Sequence, residues 1–450
     1  MAFDHIYRYL DASHFDRDKR SLRLATCNQN IDEHPYFFSG SLVRPQRTAK
    51  LLLGLMSTVH ARYHIPAVML ERILILSDPV VTSSDERLRF EGFSNCCGVY
   101  VRLDLYPESL KGKRFGRGST NVDFNQPMLS ALSMVRDTDE VSMSIGSDRV
   151  EVSKNDETVV EKKVKLPFRW LKGFVEVQAC QCRMQKMLDT SGPKAARFFK
   201  SLPRMKTSRR ETWIVGSRSG LRISQVKPRD SGIRVGGLER LRVLERFAAQ
   251  AETLNIYADE TTGATGWELV FDDCRFHLVL SPEVWRGFSG EGQALESLGN
   301  KKWQNALPAI RAQLNWQSVI DICDIAARAD VARNIAEDTL SVLGVQGLVG
   351  YDLGESAYFH RQLPFDLSNV DMTQPRLRSA RKLVDTQKVG IISQTENEIV
   401  ATVQSIDVQH RVRISSDQTK CTCPWYAKHR SNRGPCKHIL SVQLSLTEEK

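Results

Sequence analysis

The sequence lacks a long apolar run, a secretory leader and a cysteine framework. Nothing in its 450 residues approaches the run of about 18 apolar residues that a membrane-spanning helix needs, so a membrane protein is not expected. The segment 1–10 mixes acidic and basic side chains and has no apolar stretch, which argues against a signal peptide. The ten cysteines are too irregularly spaced for a disulfide framework. We therefore expect a reducing, cytoplasmic setting.

The motifs of common enzyme classes are also absent. The sequence contains no phosphate-binding loop of the form Gly-x-x-x-x-Gly-Lys-Ser/Thr, no Gly-x-Ser-x-Gly elbow and no His-Glu-x-x-His. Two short Gly-rich runs occur at 116–120 and 289–292, and turns are their ordinary structure. The sequence therefore predicts a protein that is not an enzyme and has no catalytic residues.

The net charge of +10 is concentrated in one segment. Residues 183–230 contain thirteen Lys or Arg and three Asp or Glu, an excess of ten that equals the excess of the whole chain. A solvated basic face is the commoner structure for such a segment, and a surface that neutralises nucleic-acid phosphates is the alternative. The candidate phosphate contacts in this segment are Arg204, Lys206, Arg209 and Arg210.

Changes in hydrophobic period indicate how the first two-thirds of the chain are organised. Apolar residues recur at three- and four-residue steps in 48–63, which predicts a helix. The period changes to two in 87–93 and 98–106, which predicts strands. We expect one α+β domain over residues 1–190 and a second α+β domain, which carries the basic segment, over residues 191–300.

Residues 301–366 are predicted to form a helical module. Helices are expected at 307–314, 316–327 and 332–343, followed by a Gly-containing turn and an aromatic strand. This order resembles a winged-helix module, whose third helix and wing contact DNA in that family. However, six basic and eight acidic residues give the module a net charge of −2. Because DNA is a polyanion, we favour a packing or protein-docking role.

The strongest pattern lies near the C-terminus, after a polar and basic connector at 367–389. Cys421 and Cys423 form one pair, and Cys436 and His438 form another after twelve intervening residues. Alternate residues of an extended strand point to the same face, so both members of the first pair can reach one metal ion. Three thiolates and one imidazole supply the four donors that a structural zinc ion needs for tetrahedral coordination.

This pattern of Cys-x-Cys, a loop and Cys-x-His resembles the SWIM-type zinc finger, which we assign to residues 390–446. Alternating segments at 399–403 and 410–414 predict a hairpin that leads into the first cysteine pair, and a short apolar helix follows the histidine. The resemblance implies one structural zinc ion bound by Cys421, Cys423, Cys436 and His438. The expected architecture is therefore a multidomain α+β chain, with two α+β domains, a winged-helix-like module and a small ββα-type zinc finger.

Two functions fit these observations. The first is a non-enzymatic adaptor whose finger and other domains bind partner proteins. The resemblance to bacterial SWIM-finger proteins implies partners such as MoxR-type ATPases and von Willebrand A-domain proteins.

The alternative is a DNA- or RNA-binding regulatory protein that uses the segment 183–230 and the finger. The net charge of +4 over residues 401–450 supports this alternative. An aromatic ring in the finger could stack on a base, although packing in the finger's own small core is the commoner role for such a ring. The predicted contacts in the finger are Trp425, Lys428, Arg430, Arg433 and Lys437.

Overall fold

The computed structural model describes most of the chain between residues 5 and 448 and contains both helices and sheets. The residues outside this description are 1–4, 9–13, 17–20, 25, 28–35, 65–77, 85, 115, 123, 125, 147–162, 167, 204–210, 230, 296–302, 364–374, 396, 407, 416–417, 431 and 449–450. The helices are α1 (Pro45–Val59), α2 (Gln126–Ser133), α3 (Phe168–Gln181), α4 (Gly192–Lys200), α5 (Leu307–Arg311), α6 (Ile322–Arg328), α7 (Arg333–Val345), α8 (Pro375–Asp385), α9 (Pro424–His429) and α10 (Lys437–Glu448). Within the described residues, no helix has the length and apolar character needed to cross a bilayer.

The strands are distributed along the whole length of the chain. They are β1 (His5–Arg8), β2 (His14–Asp16), β3 (Ser21–Leu24), β4 (Thr26–Cys27), β5 (Tyr36–Leu42), β6 (Val80–Ser83), β7 (Leu88–Phe93), β8 (Val99–Leu105), β9 (Leu110–Arg114), β10 (Gly118–Val122), β11 (Ser142–Gly146), β12 (Lys163–Leu166), β13 (Gln185–Ser191), β14 (Trp213–Ser217), β15 (Gly220–Ser224), β16 (Ile233–Arg234), β17 (Thr253–Ala258), β18 (Thr265–Val270), β19 (Cys274–Leu280), β20 (Val349–Asp352), β21 (Ala357–His360), β22 (Val389–Gln394), β23 (Glu398–Ser405), β24 (Val408–Ser415) and β25 (Thr419–Cys421).

A nine-stranded sheet forms the centre of the described structure, in the order β13-β17-β18-β19-β8-β7-β6-β10-β4. Strand β8 pairs antiparallel with β19 along its whole length, so segments far apart in sequence lie side by side. The regions 1–190 and 191–300, predicted as two domains, therefore share this sheet and one hydrophobic core. Short alternating patterns predict strands, but they do not show which distant strands will pair.

Helix α1 covers one face of this sheet and confirms the helix predicted at 48–63. Pro45 occupies its first turn, where the missing N–H of proline costs no hydrogen bond. The apolar stripe of the helix is fully buried against the sheet, as its three- and four-residue spacing requires. The buried stripe residues are Leu51, Leu52, Leu55, Met56 and Val59.

Three helices and a hairpin follow one another between residues 303 and 363, in the predicted order. Helix α6 begins at Ile322, later than expected, because Asp321 caps it by accepting hydrogen bonds from the backbone N–H groups of Cys323 (2.8 Å) and Asp324 (3.2 Å). Strands β20 and β21 form the hairpin, which contacts the central sheet through Asp352. The winged-helix interpretation of this module remains a prediction.

Part of the predicted connector at 367–389 is an ordered helix, α8. Its residues Leu377, Ala380 and Leu383 recur at three-residue steps and are buried. Leu377 and Ala380 pack against Leu440 and Leu444 of α10. Residues 367–374 lie outside the described part of the chain. The connector therefore supports the C-terminal helix and is not only a linker.

The C-terminal region contains a four-stranded antiparallel sheet in the order β22-β23-β24-β25. The hairpin predicted at 399–403 and 410–414 is confirmed as β23 and β24, with Val403 opposite His410. Helix α10 packs on this sheet and adds Ile439 and Val442 to a small core that also contains three cysteines. The sheet and α10 together position the predicted zinc ligands.

Candidate metal centre and its surroundings

The four predicted zinc ligands converge on one buried point. One donor atom from each of Cys421, Cys423, Cys436 and His438 lies within 4.8 Å of the others. The sulfur of Cys421 lies 3.8 Å from Nδ1 of His438. Bonds of about 2.0–2.3 Å to a tetrahedral zinc ion separate the ligand atoms by roughly 3.3–3.8 Å. The donor set and its spacing therefore fit a zinc ion, with Nδ1 as the imidazole donor.

Local structure prepares the sulfur atoms for a metal. Cys423 is the N-cap of α9, and its sulfur accepts a hydrogen bond from the backbone N–H of Tyr426 (3.3 Å). In the same way, the sulfur of Cys436 lies 3.5 Å from the backbone N–H of Ile439 in α10. N–H groups and helix N-termini stabilise negative charge on sulfur, which favours the thiolate form that binds metal.

Hydrogen bonding between the thiols affects their titration. A hydrogen bond with Cys421 lowers the pKa of Cys423, and the same bond raises the pKa of Cys421. Because zinc is bound by thiolates, zinc binding releases any proton that these sulfur atoms carry.

Arg376 of α8 links two parts of the chain. One is the segment 424–435 between the two ligand pairs, here called the zinc-ligand loop. The other is the central domain, which comprises the central sheet and the elements that share its hydrophobic core. Its Nη1 donates hydrogen bonds to the carbonyl oxygens of Arg433 (2.7 Å) and Pro435 (3.1 Å). Its Nη2 donates to the carbonyl oxygen of Glu291 (2.9 Å), which follows the central sheet in sequence. The guanidinium carbon also lies 4.8 Å from the ring centroid of Trp425. One side chain therefore connects α8, the loop and the central domain.

The backbone of the loop contacts the central domain closely at Gly434. A Cβ atom at this position would lie 1.9 Å from the carbonyl oxygen of Gly292, and the φ angle of Gly434 is +71°. Both facts favour glycine. Two side-chain hydrogen bonds cross the same contact, from Arg433 Nη2 to the carbonyl oxygen of Gly290 (2.6 Å) and from Gln293 Nε2 to the carbonyl oxygen of Asn432 (2.9 Å).

The predicted nucleic-acid contacts have different environments. Trp425 is half-buried against the finger core beneath Arg376. Lys437 lies 3.3 Å from the hydroxyl of Ser405, while Lys428 and Arg430 are exposed. Arg433 donates to Gly290, and Arg204, Lys206, Arg209 and Arg210 lie outside the described residues.

A basic groove of about 740 Å³ lies on the finger. Arg411, Arg413, Lys420 and Arg430 line it, and Arg413 forms an ion pair with Glu398. Of these four cations, only Arg430 is among the contacts predicted from the sequence. The alternating pattern of β24 indicates that Arg411 and Arg413 face solvent. Val412 between them is buried, so both arginines point outward.

A second convergent cluster is buried against the central sheet and includes His277. Donor atoms of Asp104, His277 and Asp352 lie within 4.8 Å of one another. Arg102 Nη2 contacts His277 Nε2 (2.9 Å) and Asp352 (2.8 Å), and Arg89 donates to Asp104 (2.7 Å). Burial lowers the pKa of His277. Because guanidinium groups neutralise both carboxylates, the cluster fits an ion-pair network and not a metal site.

This ion-pair network fixes the β20–β21 hairpin to the central sheet. Arg87 donates to Asp352 (2.7 Å) and to Glu355 (2.6 Å). Arg275 of β19 donates to Glu355 (3.0 Å). Arginines of the strands β7, β8 and β19, together with Arg87 just before β7, therefore hold the acidic end of the hairpin.

Comparisons with known proteins identify the C-terminal module. A family model described as the SWIM zinc finger matches residues 410–445, which include all four predicted ligands. No curated protein matches the chain. Among solved structures, Proliferating Cellular Nuclear Antigen from Entamoeba histolytica is similar at 12% identity and a TM-score of 0.33, over 55% of this chain and 99% of that chain. A TM-score of 0.33 is too low for this similarity to assign a fold or a function to the chain. The chain thus contains a SWIM zinc finger, and its Cys/His cluster points to zinc binding.

Proposed function

We propose that the protein is a non-enzymatic, zinc-binding adaptor whose finger presents a surface to a partner protein. The observation that carries this proposal is the attachment of the finger, because Arg376 bonds both the zinc-ligand loop and the central domain. A finger held in this way has a fixed orientation relative to the central sheet. Fixed orientation suits a module that displays a binding surface.

Four protein ligands complete a tetrahedral zinc site and leave no coordination position for water or substrate. We assign one structural zinc ion to Cys421, Cys423, Cys436 and His438. When bound, zinc supplies a cross-link between β25, the loop and α10. In this proposal the residues around the site orient the loop and exclude water, and none of them carries out a reaction.

The acidic helical module supports protein packing more than DNA binding. In a winged helix, the third helix and the wing contact DNA. Here the hairpin in the wing position places Asp352 against Arg89 and Arg102, and both arginines are buried. Helix α7, in the position of the third helix, carries an ion pair between Arg333 and Glu337. These contacts support a module that packs within the chain.

The partners in this proposal are proteins. The sequence resemblance points to MoxR-type ATPases and von Willebrand A-domain proteins, in the cytoplasm. Affinity capture with the tagged full chain tests the adaptor function, with Cys421→Ser as the zinc-free control. We expect a stable protein partner that the wild type recovers and the variant does not. Recovery of nucleic acid alone, with no stable protein partner, would contradict the adaptor function.

The basic groove supports a second candidate function, binding of DNA or RNA. Arg411, Lys420 and Arg430 are exposed in a concave surface, which suits a phosphate backbone. The test is a titration of DNA and RNA at several salt concentrations, with Lys420→Glu as the groove variant. Arg378→Glu is a matched control because Arg378 is exposed but does not line the groove. Steep salt dependence that only the groove variant reduces would support this function, and a flat dependence would contradict it.

A further inference from the structure

The small sheet β15-β14-β16 has one face on the core of the central domain and one face in solvent. Ile214 and Ile233, which pair across the sheet, are buried in that core. Because successive side chains of a strand point to opposite faces, Trp213 and Val215 lie on the other face, here called the outer face. Trp213 is half-buried there, and Val215 pairs with the exposed Arg222 of β15. The outer face therefore presents an aromatic ring beside a guanidinium group.

The loop after β15 adds a second cation to the outer face. The Ser224 hydroxyl donates a hydrogen bond to the carbonyl oxygen of Val226 (2.7 Å), which folds the loop back. Lys227 is exposed, and its Nζ lies 5.8 Å from the ring centroid of Trp213. A cation–π contact at an exposed site is weak. A base that stacks on the ring can therefore displace Lys227, whose ammonium group is then available to a phosphate.

The end of the β14–β15 hairpin carries further positive charge. Lys194 of α4 donates a hydrogen bond from Nζ to the carbonyl oxygen of Arg218 (3.3 Å), so its ammonium group lies beside the hairpin end. The side chain of Arg218 is exposed. Cations thus continue from the outer face along the hairpin.

The acidic groups near this sheet lie on the side of β16, away from β15. Glu211 and Glu283 lie 3.2 Å and 3.9 Å from Nη1 of Arg234, which holds both carboxylates. Among the described residues, no ion pair includes Arg222 or Lys227. Of the neighbouring residues outside the description, 204–210 include four bases and no acid, and position 230 is an acid. The charge on the β15 side is therefore available to an anionic partner.

Cations around a half-exposed aromatic ring match the chemistry of single-stranded nucleic acid. Guanidinium and ammonium groups neutralise phosphates, and an aromatic ring stacks on a base. The bases of a duplex stack on one another, whereas those of a single strand are free to stack on a protein ring. An acidic protein segment would pair with the same cations, but its carboxylates would make no use of the indole ring.

We propose that the outer face of the sheet β15-β14-β16 binds single-stranded DNA or RNA. A base stacks on Trp213, and the neighbouring phosphates pair with Arg222 and Lys227. This site rests on the second candidate function, binding of DNA or RNA, and places that function on the central domain. It shares no residue with the basic groove of the finger.

Fluorescence anisotropy with the full chain measures this binding. The labelled probes are single strands of about 15 nucleotides, one of thymidine and one of uridine, which distinguish DNA from RNA. An abasic strand of equal length keeps the phosphates and lacks the bases, and polyglutamate represents an acidic protein segment. We expect a thymidine or uridine strand to bind, and the abasic strand to bind at least about fivefold more weakly. Equal or tighter binding of polyglutamate would assign the outer face to an acidic protein and overturn the proposal.

Replacement of Trp213 tests the stacking. Trp213→Leu removes the aromatic ring and keeps an apolar side chain, whereas Trp213→Phe keeps a smaller ring. We expect about fivefold or greater loss of binding to the preferred strand in Trp213→Leu and a smaller loss in Trp213→Phe. Equal losses in the two variants would exclude stacking on this ring. Thermal unfolding of both variants shows that each is folded.

A charge reversal at an exposed residue tests the site without disturbing the core. Arg222→Glu reverses a charge on the outer face, and Arg378→Glu does so on the exposed surface of α8. We expect Arg222→Glu to weaken binding at least about fivefold and to reduce the slope of log affinity against log salt by about 0.7, the value for one phosphate contact. Arg378→Glu should change neither quantity.

Photo-crosslinking locates the contact directly. A thymidine strand with a central thiothymidine is irradiated on the full chain, and mass spectrometry identifies the attached residues. We expect attachment within 211–229. Attachment confined to the finger, with no loss of binding in Arg222→Glu, would overturn the sheet site and leave the nucleic-acid function intact. Absence of binding to both the thymidine and the uridine strand would exclude the site and that function together.

Discussion

Arg376 lies over the indole ring of Trp425, with its guanidinium carbon 4.8 Å from the ring centroid. The same guanidinium group donates hydrogen bonds to carbonyl groups of the zinc-ligand loop and of the central domain. Trp425 is therefore part of the contact that attaches the finger, and it packs against the finger's own core. Burial of one face leaves less of the ring for stacking on a nucleic-acid base.

Loss of a zinc ligand should unfold the finger and leave the central sheet folded. We expect Cys421→Ser and His438→Ala to abolish zinc binding. The finger should then unfold, because structural zinc supplies about 10–16 kcal/mol to the folding of such small modules. Hydrogen exchange should show lost protection in β23, β24 and α10 and retained protection in β8 and β19. Unchanged exchange in the finger would show that its fold does not depend on the metal.

Gly434→Ala should loosen the contact between the zinc-ligand loop and the central domain. The new Cβ would lie 1.9 Å from the carbonyl oxygen of Gly292, at a residue with a φ angle of +71°. We expect a loss of about 1–3 kcal/mol in the free energy of unfolding. Gly390→Ala is the control, because its Cβ would meet only the Thr402 hydroxyl at 3.3 Å. Urea denaturation of both variants makes the comparison, and equal midpoints would contradict the contact.

Asp352→Ala should detach the β20–β21 hairpin from the central sheet. The substitution leaves the buried side chains of Arg89 and Arg102 without this carboxylate partner, which typically costs about 3–5 kcal/mol. Asp324→Ala breaks the exposed pair with Arg328 and should cost less than about 1 kcal/mol. Similar losses in the two variants, measured by chemical denaturation, would argue against the network.

Glu176 should make stability depend on pH near neutrality. Burial raises its pKa to about 7, while its carboxylate accepts hydrogen bonds from the backbone N–H groups of Gln293 (2.8 Å) and Ala294 (3.3 Å). Because the folded-state pKa is raised above the ordinary value of 4.5, the stability contribution is complete below about pH 4.5 and is lost as the pH rises through about 7.

Replacement of Glu176 by Gln removes this titration and keeps an oxygen that can accept both hydrogen bonds. The difference in free energy of unfolding between Glu176→Gln and the wild type should therefore shift in favour of the variant by about 1–3 kcal/mol between pH 5 and pH 8. Urea denaturation at four pH values measures this shift. A constant difference over the range would show that Glu176 does not titrate there.

The sequence predicted features that depend on local spacing. The two ligand pairs, the hairpin of β23 and β24, and the apolar stripe of α1 each depend on residues close together in the chain. In these cases, side-chain period and metal-ligand chemistry are sufficient to predict the local structure.

Features that depend on distant segments could not be predicted in this way. In β8, Arg102 and Asp104 alternate with apolar residues, a pattern typical of a strand with one face in solvent. Both are fully buried, because the β20–β21 hairpin covers that face. The role of Arg376 was missed for the same reason. It belongs to a basic segment that suggested a connector, and its three carbonyl partners come from two other segments.

Zinc content of the chain, purified without chelators and measured by elemental analysis, tests the central claim most directly. Four converging protein donors predict about one zinc ion per wild-type chain and almost none in Cys421→Ser. A wild-type value well below one zinc per chain, or equal values in the two proteins, would contradict a zinc-dependent finger and the adaptor surface built on it.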